Sequence, residues 1–169
     1  MRILGVDPGL HITGYGCITV DTSIPDPHRS NITLAEAGVV RTRPKDSLDK
    51  RLAVLFHDFT EVLKDFMPEI MVIEDLYSHY KNPRTAIIMG HARGTIITAA
   101  SSRDVDVVAY SANRIKNSLT GNGHASKEQM QRMIMTMLGL DSPPSPADVA
   151  DALGVALCHA NVILHQHNN

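Results

Sequence analysis

Ile70-Met71-Val72-Ile73 is an unbroken apolar run, with Pro68 shortly before it and Glu74 directly after it. A strand wetted on one face alternates apolar and polar residues, so a continuous run of this kind suits a central strand covered on both faces. That requirement points to a layered arrangement with helices above and below a sheet. The run ends in an acid, at the carboxyl end of its strand.

The remaining periodicities agree. Ile3 to Asp7 reads as a buried strand ended by the turn Pro8-Gly9, and Thr13 to Val20 as a second strand that forms a hairpin with it. Residues 21–31, with Pro25, Asp26, Pro27 and Asn31, read as a loop before a third strand from Ile32 to Arg41, completing an antiparallel meander. The period then changes. Leu48, Leu52, Leu55, Phe56, Phe59, Val62, Leu63 and Phe66 share one 3.6-residue face, with Asp46 or Ser47 as cap and Pro68 beyond the end.

After the central strand, a helix from Arg84 to Ala100 leads into a strand from Val105 to Tyr110, a β-α-β unit with a right-handed parallel connection. Ser111 and Ser126 cap two further helices. Ser126 with Gln129 matches a capping box, and Met130, Met133, Ile134 and Met137 form an apolar face that reads as core. The last helix opens at Ser145-Pro146 and turns Val149, Ala152, Leu153, Ala156, Leu157, Ala160, Ile163 and Leu164 to one side. The predicted fold class is α/β. It is a five-stranded mixed sheet, three antiparallel strands then parallel ones, with helices on both faces, as in ribonuclease H-like domains, and it forms one domain over residues 1–169.

Composition sets the outer bounds. Cys17 and Cys158 lie far apart in no metal-binding spacing, which points to neither a disulfide framework nor a thiolate zinc site and suits a reducing cytoplasm. No apolar stretch approaches the roughly 18 residues of a membrane span, and Ile3 to Val6 is too short for a signal sequence. The net charge of −2 is unusual for a nucleic-acid binder. Net charge hides distribution, however, and cations come in groups: Arg41/Arg43/Lys45, Lys81/Arg84, Arg114/Lys116 and Lys127/Arg132.

Four acids stand at positions that suit chemistry. Asp7 ends the first strand before a Pro-Gly turn, where ligands collect in open sheets, although Asp-Pro-Gly is also good Asx-turn chemistry. Glu74 ends the central strand, where an ionised carboxylate is costly unless it is paired, binds metal or reaches solvent. Asp148 and Asp151 share one side of the last helix, and both also suit the positive end of its dipole. Taken together, carboxylates from two strands and a helix fit hard-cation catalysis on phosphodiesters, in which two metal ions about 3.5–4 Å apart activate water and stabilise the leaving oxygen. No nucleophilic side chain is needed.

Ile3-Leu4-Gly5-Val6-Asp7-Pro8-Gly9 followed by Thr13-Gly14-Tyr15-Gly16 resembles the opening of the RuvC family of bacterial Holliday junction resolvases. Val72-Ile73-Glu74, Gly90-His91-Ala92-Arg93-Gly94 and Ala147-Asp148-Val149-Ala150-Asp151-Ala152-Leu153 look like the later motifs of that family, in the same order. The resemblance runs from Arg2 to about His165. It implies a Mg²⁺-dependent endodeoxyribonuclease that makes paired symmetric nicks across four-way junctions in recombination and repair, with two ions per active site and Mn²⁺ able to substitute.

By the same resemblance Asp7, Glu74, Asp148 and Asp151 are the catalytic and metal-binding acids. Tyr77 falls where the family stacks an aromatic on a junction base, and Lys116 and Lys127 where it places lysines near the scissile phosphate; Arg84 and Arg93 stand where they could assist, although Arg93, between Ala92 and Gly94, also reads as a structural residue of its helix. A cytoplasmic homodimer acting with RuvA and RuvB is also implied. The chain departs from the family in its long, proline-rich 21–31 segment and in a tail that lacks a basic extension. The nine histidines, His91, His124 and His159 among them, form no metal-ligand spacing.

Three other functions compete. An actin-like or sugar-kinase-like phosphotransferase needs two such domains, and no second Asp-x-Gly hairpin is present. An RNA-processing nuclease of the same superfamily shares the opening motif but not the later ones. A non-catalytic junction-binding protein would keep the shape without the cleavage.

Overall fold

The computed structural model describes residues 1–9, 11–23, 31–76 and 83–167. Most of the predicted 21–31 loop therefore lies outside the described residues, as does Tyr77. The elements in chain order are β1 (Arg2–Asp7), β2 (Ile12–Val20), β3 (Ile32–Arg41), α1 (Leu48–Phe66), β4 (Ile70–Glu74), α2 (Pro83–Ser101), β5 (Asp106–Tyr110), α3 (Ala112–Thr120), α4 (Lys127–Leu138) and α5 (Ala147–His167). The strands form one sheet in the order β3-β2-β1-β4-β5. β2 pairs antiparallel with both β1 and β3, whereas β4 pairs parallel with β1 and with β5. This is the mixed sheet that the periodicities require, with the unbroken apolar strand second from one edge.

The pleat divides the core in two. Leu4, Val6, Met71 and Ile73 point to one face, where they pack with Leu55, Phe59 and Leu63 of α1 and Ala92, Ile96 and Ala99 of α2. Ile3, Ile18, Val72 and Tyr110 point to the other, against Leu153, Ala156, Leu157 and Ala160 of α5, with Ile115 of α3 and Ile134 of α4 outside them. The methionine face of α4 is core, as expected: Met130, Met133 and Met137 pack on this second cluster.

Two local expectations need correction. Phe56 is 39% exposed and Leu48 37%, because the buried line of α1 is Leu55, Phe59 and Leu63; Phe56 lies one residue round the helix from it and Leu48 is the first residue of the helix. The last helix starts at Ala147 rather than at Ser145-Pro146; that peptide bond is cis, and Pro146 stays outside the helix while its carbonyl accepts from the Val149 N–H at 3.0 Å. The cap at Ser111 forms as expected, and Ser126 and Gln129 make both hydrogen bonds of the capping box. Ser47 stands at the N-cap of α1 without a side-chain cap bond. By length and composition Ala147–Gln166 could cross a membrane, but 67% of that stretch is buried inside the protein, as befits a core helix.

Candidate active site

Strand register alone sets Asp7 beside Glu74. β1 and β4 run parallel with Val6 opposite Ile73, so the next residues in register are the two acids. Side chains alternate along a strand, so Asp7 follows Ile3 and Glu74 follows Val72 onto the face covered by α5. Both carboxylates are only partly exposed. The helix that carries the other two acids lies unusually close. A Cβ on Gly14, the residue paired with Asp7, would collide with the carbonyl of Asp148, and one on Gly5 would lie 2.7 Å from the Ala156 nitrogen. Gly5 and Gly14 thus let the α5 backbone rest on β1 and β2, and Gly16, which pairs with Gly5, admits the Leu153 side chain beside them. Sequence reasoning missed this role, although glycines inside a strand pattern signal a close backbone approach.

Electrostatics shows the acids sharing one field. Burial pushes the Asp7 carboxyl up from 3.8 to about 7, reinforced by the negative charges of Asp151, Glu74 and Asp148 and opposed by Lys127. Glu74 is also raised, by burial first and then by Asp151, while Lys116 pulls it down. Among the described residues no hydrogen bond reaches the Asp7 side chain, so the Asx-turn role is not realised; the turn is held instead by Gly9 and Thr13, whose amide N–H and hydroxyl lie 3.3 Å apart. The Asp7 carboxylate is left facing the other acids.

The cations divide into two groups. Lys127 Nζ lies 3.5 Å from Asp151 Oδ2, and Lys127 and Lys116 line a cavity of about 240 Å³ together with Glu74, Asp151, Ala112, Ile115 and Met130. Arg84 sits exposed in the first turn of α2 and does not line that cavity. Arg93 turns to the protein itself: its Nε donates to the Glu74 carbonyl at 3.3 Å and its Nη2 to Asp75 Oδ1 at 3.1 Å. His159 is structural too, buried with its Nδ1 2.7 Å from the Tyr110 hydroxyl.

Four carboxylates at one sheet end offer hard oxygen donors of the kind that Mg²⁺, Mn²⁺ and Ca²⁺ take. The donor chemistry thus fits a divalent cation. The side chains stand within electrostatic reach rather than in ligating geometry, since among the described residues no three acids, histidines or cysteines close around one point.

A family model described as crossover junction endodeoxyribonuclease RuvC matches residues 3–159. The chain belongs to the RuvC family. A RuvC from Rhodopirellula baltica is 45% identical over 156 residues, spanning 92% of this chain and 84% of that one. Thermus thermophilus RuvC in complex with Holliday junction substrate superposes with a TM-score of 0.89 at 32% identity, over 99% of this chain and 97% of the other. The yeast mitochondrial Holliday junction resolvase Ydc2, 14% identical, shares the fold with a TM-score of 0.65 over 98% of this chain and 83% of its own. Membership of the RuvC family implies use of a divalent metal, in keeping with the donor set.

Proposed function

We propose that this chain is a structure-specific, Mg²⁺-dependent endodeoxyribonuclease that resolves four-way Holliday junctions by paired symmetric nicks. The observation that carries this reading is the gathering of Asp7, Glu74, Asp148 and Asp151 from β1, β4 and α5 onto one sheet end in a RuvC-family chain. These four residues hold the metal, two ions per site, with Mn²⁺ able to replace Mg²⁺. When bound, the ions lower the pKa of water and stabilise charge on the leaving oxygen.

The protein's own groups do the rest. Asp7 and Glu74, fixed by adjacent strands, set the position of the metal-binding oxygens, and the close approach at Gly5 and Gly14 fixes Asp148 and Asp151 opposite them. Lys116 and Lys127, at the cavity wall, neutralise the scissile phosphate; Lys127 exchanges Asp151 for phosphate when DNA enters. Ile115 and Met130 give the cavity an apolar wall for the sugar edge. Local positive charge of this kind offsets a net charge of −2. Tyr77 stacks on a junction base and Arg84 contacts the backbone. A cytoplasmic homodimer working with RuvA and RuvB completes the proposal; two copies supply the two nicks, and Ile87 on α2, 61% exposed, is an apolar group available for subunit contact.

The test is nicking of a synthetic mobile four-way junction against linear duplex, with Mg²⁺ or chelator, by wild type and Asp7→Asn. Symmetric, junction-selective nicks that need both Mg²⁺ and Asp7 are expected, with junction binding kept in the variant. Tight junction binding without nicking in any metal would instead identify a non-catalytic junction binder.

A further inference from the structure

β4 ends at Glu74, and the chain just beyond it is held by β5 beside it and by α2 on the face opposite α5. The Asp75 amide donates to the Tyr110 carbonyl at 2.9 Å, which fixes the strand end laterally against β5. From α2, the Arg93 guanidinium spans the junction, with Nε on the Glu74 carbonyl and Nη2 on the Asp75 carboxylate. Leu76 follows against Gly90, whose missing Cβ would lie 3.9 Å from Leu76 Cδ1. Three consecutive residues are thus held by one turn of a helix on which Ala92 and Ile96 are buried.

A guanidinium is a planar fork, and one that binds two points on either side of a peptide unit fixes the orientation of that unit. The peptide after Glu74 sets the direction of its Cα–Cβ bond, and the side chain leaves toward α5, away from Arg93. Asp75 is a further acid directly after Glu74. Its ion pair with Arg93, whose side chain is only 21% exposed, draws that carboxylate to the α2 side.

We infer that Arg93 is a positioning residue for the metal centre: it fixes the peptide that aims Glu74 and withdraws Asp75 from the ligand set. This rests on the reading of Glu74 as a metal ligand. Groups that orient ligands from behind typically change metal affinity by about 10–100-fold when removed. Junction binding, made by other residues, is left alone.

The experiment titrates the full chain with Ca²⁺ by calorimetry and measures the Mg²⁺ concentration for half-maximal nicking, the junction affinity in Ca²⁺ and the melting temperature, for wild type, Arg93→Ala, Arg93→Lys and Glu74→Gln. Arg93→Ala is expected to weaken Ca²⁺ binding and raise the half-saturating Mg²⁺ by about 10-fold or more, with near-normal junction affinity and with nicking largely recovered at saturating Mg²⁺. Arg93→Lys, whose ammonium cannot span both oxygens as a fork does, falls between. Unchanged Ca²⁺ and Mg²⁺ dependence in Arg93→Ala, with only a lower melting temperature, would reduce Arg93 to a structural residue and overturn the inference. If Arg93→Ala does not fold, unchanged metal dependence in Arg93→Lys overturns it equally. Glu74→Gln separates the two readings, because normal metal binding in that variant removes the assignment of Glu74 itself.

Discussion

The two faces of the sheet are packed on different principles. Toward α1 and α2 the contact is made by bulk: Phe59, Leu55, Leu63 and Ile96 fill the space over Leu4, Val6 and Ile73, with the Tyr15 ring set edge-on to Phe59 at 6.4 Å. Toward α5 it is made largely by absence, as Gly5 meets the Ala152 carbonyl and Ala156 and Gly14 meets the Asp148 carbonyl nearly backbone to backbone, while Gly16 leaves room for the Leu153 side chain. Large side chains can adjust their rotamers when a neighbour changes, whereas two backbones in contact have nothing to give. The face on which the proposed metal ligands sit is therefore the one where helix and sheet backbones leave least slack, at Gly5 and Gly14.

The sharpest way to break that contrast is one substitution on each side. Gly14→Val pushes the first turn of α5, and Asp148 with it, away from β2; metal-dependent nicking is expected to drop at least about 100-fold, as displacements near 1 Å do. Phe59→Ala, fully buried on the opposite face, is expected to cost about 3–5 kcal/mol in urea unfolding yet to keep its nicking rate at temperatures where it stays folded. Near-normal nicking by Gly14→Val, or an inactive but folded Phe59→Ala, removes the division of labour.

A second test exploits charge. Asp7 is raised from 3.8 to about 7, so between those pH values the folded, metal-free protein keeps a proton that the unfolded chain has released. Unfolding free energy in chelator should accordingly fall as pH rises through that window and level off above it, by up to a few kcal/mol. Glu74 adds in the same direction. Asp7→Asn should flatten the slope, and Mg²⁺ should stabilise wild type more at pH 8 than at pH 5.5; a slope shared by wild type and variant assigns it elsewhere. The smallest effect expected is at Ser126. Losing the cap through Ser126→Ala should cost about 1 kcal/mol, read from the urea midpoint, and lower nicking no more than a few-fold through Lys127 in the loosened first turn, since α4 is pinned to the core by Ile134.

Much of this was legible in the sequence because period and burial are local signals. The unbroken run at Ile70 required a doubly covered strand, and the capping box at Ser126 and the methionine face of α4 appeared as read. The four acids were legible as candidates, each with an ordinary alternative; that for Asp7 failed only once its carboxylate proved to take no hydrogen bond among the described residues. What stayed hidden depends on tertiary proximity. Nothing near Gly14 in the chain announces Asp148, and nothing near Asp75 announces Arg93. Phe56 and the start of α5 were misread for a related reason: the edge of a helical stripe and the entry to a helix are decided by what the rest of the molecule places beside them.

Asp7 lies on the first strand and Asp148 and Asp151 on the last helix, while β1 is the middle strand of the sheet. During synthesis β1 leaves the ribosome long before its covering helix exists, so the sheet's middle must wait, half-dressed, for α5. The proposed metal site draws on β1 and α5, so a chain in which α5 is not yet made lacks Asp148 and Asp151.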